Sequence, residues 1–492
     1  MSKILTIGSR ASFLAKIQTL IVIKELKKKF NKIQIYTKFS TTKGDESKSQ
    51  EPWKNLGYGI FTNSLTSGLK KNKFDCVVHS FKDLPVLKKQ TSFFTIKRDD
   101  PRDVLLIKKN SLKKNKIIIG TSSPRRKASV KDLKDLIRKK NILTKSIRGN
   151  VTTRLTKVVN GKDFDAVFMA KAAIDRIFKY GNFVDKKETI KFKKLFNQFK
   201  PFILPLSIFP SAASQGTIAI ECLNKNKKVK SILSKINCKE TQYISNEERS
   251  LLKKYGGGCG LDIGITIENI KNNYFLFSKG IDVKNKKHFH INKILNSKSI
   301  KKTKDIFPAE IKNYKMFQRK ELKLPKMKNN TLILTRPDFS IDSLNNANFF
   351  ITSGIQTWRK IAIKNNIPQC SFDGLGEDYR PPELYYRKFR NIKKITYKDS
   401  LSTYKTKQIY GYELIPEINP KTIENLFSAK IFYWMSYSAF KLAKAIRPEI
   451  VKFHHCSGPG STYEKLKKEI SIRRLHLFFN YKDFKESIYQ GS

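Results

Sequence analysis

Three groups of residues in the first 260 positions carry side chains suited to chemistry. The first is Tyr255-Gly256-Gly257-Gly258-Cys259-Gly260, a thiol set among glycines. Glycine adopts positive φ freely and lets the backbone approach another group closely. The Cys259 thiol would therefore be accessible, and a thiolate is a strong carbon nucleophile once its pKa is lowered. Alone, the stretch reads equally as a glycine-rich turn with an incidental cysteine. The second group is His79-Ser80-Phe81-Lys82-Asp83-Leu84-Pro85, directly behind the apolar run Cys76-Val77-Val78. In open α/β sheets ligands bind beyond the carboxyl ends of strands. Asp83 is either a turn carboxylate and Lys82 a surface amine, or Asp83 is held ionised by basic neighbours and aimed at a developing cation. The third group is the scarce arginines: Arg10, Arg125, Arg126, Arg148 and Arg154 all fall in motif-like segments. Guanidinium pairs with carboxylate in bidentate fashion. Thr121-Ser122-Ser123-Pro124-Arg125-Arg126 puts hydroxyls, a helix start and two arginines in one turn, an anion site by construction. Arg148-Gly149-Asn150 through Arg154 repeats the theme around a glycine. Together the groups describe a cleft for a polyanion that Cys259 could anchor.

Positioning these residues requires an alternating βαβ chain. Residues 4–7 read as a strand, and Ser12 as the N-cap of a helix with Leu14, Ile17, Leu20, Ile21 and Ile23 on its apolar face. Further strands are expected at 33–39, 74–78, 116–120, 164–169 and 217–222, with a helix over 172–177. A Lys- and Phe-rich stretch to about residue 200 reads as less ordered. A pattern interrupted and then resumed suits two α/β lobes with the chain crossing between them, enclosing a ligand at their interface. We expect lobe 1 over 1–112 and 201–222, lobe 2 over 113–200, and a small α+β domain over 223–312 with strands at 261–267, 274–281 and 288–294. Residues 313–329 read as a linker, and 330–492 as a further α/β domain. His454-His455-Cys456 lies on an expected strand, where neighbours point to opposite faces, which argues against a metal site.

Composition bounds the rest. The 492 residues suggest three or four domains, and 39% hydrophobic content suffices for their cores. No apolar run approaches the roughly 20 residues that span a bilayer, and the N-terminus lacks the apolar core of a signal peptide. A cytoplasmic protein is expected, with no membrane partner. The six cysteines are scattered without a CxxC pair, against a disulfide framework or zinc knuckle. The formal charge of +59 invites nucleic-acid binding. Lysine is spread along the whole chain beside abundant Asn and Ile, however, as a solvated surface shaped by codon bias would be. No nucleic-acid partner is expected.

Five stretches in order now identify a family: the Arg10/Ser12 turn, VVHSFKDLPV at 77–86, IGTSSPRRKAS at 119–129, IRGNVTTRL at 147–155 and GGGCG at 256–260. With PSAASQGTIAIEC at 210–222, they resemble porphobilinogen deaminase over residues 3 to about 310. The resemblance implies two lobes similar to type II periplasmic binding proteins and a third domain whose cysteine, here Cys259, carries dipyrromethane by a thioether. It implies condensation of four porphobilinogen units with loss of ammonia, then release of linear hydroxymethylbilane. Asp83 takes the family's catalytic position, where a carboxylate can stabilise the azafulvenium cation left by deamination. Lys82, Ser80, Thr121, Ser122, Ser123, Arg125, Arg126 and Gly149 take cofactor-binding positions; Arg10, Ser12, Arg148, Arg154 and Gln215 take substrate-binding ones. No metal is implied. Porphobilinogen and the growing polypyrrole would be the partners of a monomer, with other tetrapyrrole-pathway enzymes as candidates. The pattern departs at Gly57-Tyr58-Gly59, where the family reads Gly-Lys-Gly, at Ser64, where an acidic residue is usual, and at Gly260-Leu261-Asp262.

The C-terminal region resembles uroporphyrinogen III synthase in fewer places: LILTRP at 332–337, ITSG at 351–354 and CSGPGSTYEKL at 456–466. That resemblance implies cyclisation of the deaminase product, although some 160 residues is short for a two-lobed synthase, which suggests a reduced unit. The alternative for the whole chain is a two-lobed anion-binding protein without catalysis, which leaves Asp83 and Cys259 without roles.

Overall fold

The computed structural model describes residues 4–41, 63–85, 90–139, 141–256, 261–296, 300, 303–327, 330–337, 339, 349–363, 366–377, 392–398, 400 and 407–489. Cys259 and the Gly57–Gly59 loop lie outside them.

Two five-stranded sheets share one topology. In the first, Gln34–Ser40, Ile4–Arg10 and Cys76–Ser80 run parallel, followed by the antiparallel Ile218–Leu223 and then Thr91–Thr95. In the second, Asn141–Lys145, Lys116–Gly120 and Ala166–Ala170 run parallel, followed by Asp103–Lys108 and Phe199–Ile203. Each sheet exchanges its return strand with the chain's path between lobes. The crossings therefore fall at 96–102 and 204–217, not at 112/113 and 200/201. Asp103–Lys108 is an apolar run that either sheet could bury; its antiparallel ladder to Ala166–Ala170 assigns it to lobe 2. Residues 186–196, expected to be less ordered, form the helix Lys186–Phe196. Asp185 caps it by accepting from Glu188 N, and Thr189, Phe192 and Phe196 bury one face.

The third domain packs the helix Lys239–Lys254 on an antiparallel sheet of Gly264–Ile270, Asn273–Ile281 and His288–Ile294. It ends earlier than expected, because Ile306–Phe307 pairs in parallel with Ile431–Trp434 of the C-terminal unit. The expected linker contains the strand Phe317–Glu321, antiparallel to Lys407–Pro416. Its side chains are mostly exposed, so the edge strand has the polar composition of a linker. Among the described residues the C-terminal unit has two sheets. Six strands run from Phe317–Glu321 to Cys370–Ser371, and four from Ile306–Phe307 to Leu475–Leu477. It docks on lobe 2 through Trp358, fully buried, whose indole donates to Leu136 O at 2.8 Å. It meets the third domain through Phe275 and Phe277, which share a core with Phe432 and Trp434. Among the described residues, no helix is long and apolar enough to cross a membrane.

Candidate active site in the interlobe cleft

The buried strand Cys76–Ser80 delivers Lys82 and Asp83 on the short 3-10 turn Phe81–Asp83. That turn is fixed from outside lobe 1. Arg249, on the long helix of the third domain, stacks over the Phe81 ring at 4.6 Å. It donates to Phe81 O at 3.3 Å, Leu84 O at 3.2 Å and Pro85 O at 2.5 Å. Asp83 thus stands on backbone held in place from a second domain.

Lobe 2 supplies the opposite wall. Arg125 and Arg126 open the five-residue helix Pro124–Ala128, and both are buried against Asp103. Arg125 reaches Asp103 Oδ2 at 2.8 Å and Pro210 O at 3.0 Å. Arg126 grips both carboxylate oxygens, at 2.7 and 3.2 Å, and donates to Phe168 O at 3.4 Å. Each guanidinium therefore has a partner within the protein, beside the cofactor-binding role expected of both. Burial alone would raise the Asp103 pKa; Arg125 and Arg126 overcome it and hold the carboxyl well below the usual range. Gln215, on the second crossing, bridges the walls. Its amide donates to Asp103 at 2.9 Å and Pro101 O at 2.7 Å, and its oxygen accepts from Lys82 at 3.1 Å.

Arg154 lies on the helix Val151–Asn160, whose N-cap Asn150 accepts from Thr153 N at 2.8 Å. Gly149 precedes that cap at φ +118°, where a Cβ would meet Thr153 at 2.7 Å, so the position requires glycine. Burial and then Arg126 lower the Arg154 pKa to about 10, while Asp83 pulls the other way. Burial likewise lowers Lys82 to about 8, opposed by Asp83 and reinforced by Arg126. The Lys82–Gln215–Asp103 hydrogen bonds join the two walls.

The remaining candidates sit around this centre. Thr121 is buried and its hydroxyl accepts from Ser123 N at 3.2 Å; Ser122 bonds Ser146 at 2.7 Å and Ile147 O at 2.9 Å, tying two loops together. Ser123 precedes the arginine helix and Ser12 the helix Phe13–Lys29, neither with a side-chain capping bond. Arg10, Ser80 and Arg148 are half-buried at the ends of their strands and turns.

Sequence reasoning missed the residues that hold the crossings. Arg98 donates to both oxygens of buried Glu248, at 2.7 and 3.2 Å. Glu248 also accepts from Ser214 N at 2.5 Å and Ile267 N at 2.6 Å, joining both crossings to the third domain. Arg176 of lobe 2 reaches Asp99 and Gly216 O, each at 2.7 Å. The available signal was the run Arg98-Asp99-Asp100-Pro101-Arg102-Asp103, too densely charged for an idle loop.

Lys82, Arg125, Arg126 and Arg154 outnumber Asp83 and Asp103; burial first, and then the Arg126 charge, lowers the pKa of Lys82, Arg125 and Arg154. An anionic ligand relieves that repulsion, so these residues fit a polycarboxylate such as dipyrromethane. A second cationic cleft, of about 120 Å³, lies between the two sheets of the C-terminal unit. Arg319, Arg336, Lys394 and Lys465 line it with Tyr397 and Ser438, whose hydroxyls meet at 2.9 Å.

Two α/β lobes that set cations beside a carboxylate on an externally held turn form a site suited to a polycarboxylate ligand. The family model described as porphobilinogen deaminase, dipyrromethane cofactor-binding domain, matches residues 5–231. A probable porphobilinogen deaminase of Picrophilus torridus is 36% identical over 276 residues, 55% of this chain and 86% of the relative. Porphobilinogen deaminases of Mycobacterium ulcerans and Listeria monocytogenes are each 32% identical over 54% of this chain, covering 78% and 80% of their own lengths. The chain belongs to the porphobilinogen deaminase family. Among solved structures, the extracellular-binding protein of a probable amino-acid ABC transporter from Bacillus subtilis matches 51% of this chain and 97% of its own, at 14% identity and a TM-score of 0.28. That score is too low to bear on the fold, which rests on the sheets themselves.

Proposed function

We propose that the interlobe cleft condenses porphobilinogen in four rounds, with Asp83 as the catalytic carboxylate and Cys259 as the tether of dipyrromethane. The observation that carries this reading is the Asp83 turn, pinned by Arg249 and joined through neighbouring Lys82 and Gln215 to Asp103 of the opposite wall. Bound dipyrromethane supplies the nucleophilic pyrrole carbon. Asp83 accepts from pyrrole N–H groups and offsets the positive charge left when ammonia departs. Lys82 and Arg154 hold the acetate and propionate arms of the incoming substrate. Asp103 and Gln215 keep Arg125, Arg126 and Lys82 aligned between rounds. The partners are porphobilinogen and the growing polypyrrole, with the chain working as a cytoplasmic monomer. Asp83→Ala tests this: turnover of porphobilinogen should vanish while the folded protein accumulates normally. Near-normal turnover removes Asp83 from the mechanism.

The cationic cleft of the C-terminal unit favours a second activity on the released bilane, its cyclisation to uroporphyrinogen III. After oxidation, products formed from porphobilinogen alone should be the type III isomer. Exclusively type I would mean spontaneous closure and no such activity.

A further inference from the structure

The C-terminal unit touches both crossings between the deaminase lobes, and it does so with one short segment. Gln369 O accepts from Ile203 N at 2.7 Å, where the last strand of lobe 2 becomes the second crossing. Asp373, buried, accepts from Leu206 N at 2.7 Å and from the Ser207 hydroxyl three and four residues further on. Ser207 O accepts in turn from His290 at 2.7 Å and Asn292 at 3.0 Å, both on the third domain. On the first crossing, Arg102, almost fully buried, pairs with Asp100 at 2.6 Å and points its other amine at Cys370 Sγ and Ser371 O, both at 3.5 Å.

We propose that Gln369–Asp373 braces the two crossings at their lobe-2 ends, and that Asp373 is a positioning residue for the deaminase reaction. From the Leu206-Ser207 turn the second crossing runs directly into the site. Pro210 O orients Arg125 at 3.0 Å, Ser211 N bonds Thr266 at 2.8 Å, and Gln215 aligns Asp103 and Lys82. Loss of the Asp373 carboxylate leaves the buried Leu206 N–H and Ser207 hydroxyl without their acceptor, and the resulting slack is passed to Pro210 and Gln215.

The proposal rests on the deaminase activity, and its test separates the two. In the full-length protein, kcat and KM for porphobilinogen are measured per dipyrromethane-loaded molecule, with loading counted by Ehrlich colour. Asp373→Ala should lower kcat per loaded molecule about tenfold, the equivalent of roughly 1.4 kcal/mol of lost positioning, with the loaded fraction unchanged. Asp373→Asn, which keeps one acceptor oxygen, should recover most of that loss. Wild-type kcat per loaded Asp373→Ala molecule, or a loss confined to loading, overturns the brace. Should Asp373→Ala fail to fold, Ser207→Ala decides: a lowered kcat supports the proposal and an unchanged one overturns it. A wild-type protein with no turnover overturns the deaminase reading and the brace together.

Discussion

Asp103→Asn is the sharpest perturbation of the cleft, because it removes one charge and almost no volume. Asp103 is 1% exposed and lies between two guanidiniums at 2.7 and 2.8 Å. Asparagine can still accept one of their bonds, but both cations would then be buried without a counter-charge. Breaking a buried pair in this way costs about 3–5 kcal/mol. At roughly 2–4 °C per kcal/mol for a body of this size, the unfolding transition that includes lobe 2 should fall by about 6–20 °C. The sign with pH follows from linkage. Because the arginines hold the carboxyl below its ordinary value of 3.8, its stabilisation is complete above about pH 4 and is lost as pH falls through the lower folded value. The gap between wild type and variant should therefore be constant from about pH 5 to 8 and narrow below pH 4. Scanning fluorimetry across that range measures it. A variant within about 1 °C of wild type at pH 7 would refute the reasoning, since the pair would then contribute almost nothing.

Three further outcomes are expected. KM for porphobilinogen should rise above about pH 8 as Lys82 loses its proton, and Lys82→Arg should abolish that inflection because guanidinium stays charged; a pH–rate profile measures both. Gly216→Ala places a Cβ 2.6 Å from Asp99 O at φ +87° and should cost about 1–3 kcal/mol in denaturant unfolding while slowing turnover. Trp358→Ala should loosen the C-terminal unit from lobe 2 at a cost of about 3–5 kcal/mol, read as faster release of that unit by limited proteolysis.

The chemistry-bearing residues of the first 260 positions were legible because chemistry demands particular types at particular strand ends. Cys76–Ser80 and Lys116–Gly120 likewise declared themselves as apolar runs. The division into sheets was less visible. Asp103–Lys108 and Phe199–Ile203 are ordinary strands by sequence, and only pairing across some 60 to 100 residues assigns them to lobe 2. The polar edge strand Phe317–Glu321 carries no alternation, because both its faces are largely exposed. The arginines were found but only half understood. Spacing placed Arg125 and Arg126 at an anion site, yet nothing local reveals that Asp103, more than twenty residues earlier, already occupies them. The same holds for Arg249, which secures the turn carrying Asp83 from a different domain.

The intact mass of the purified protein, before and after stoichiometric porphobilinogen, tests the central claim most directly. The protein as isolated should exceed its sequence mass by one dipyrromethane, located on Cys259 by peptide mapping, and porphobilinogen should add further single-pyrrole increments. Cys259→Ser should show neither. An active preparation with Cys259 unmodified would contradict the account.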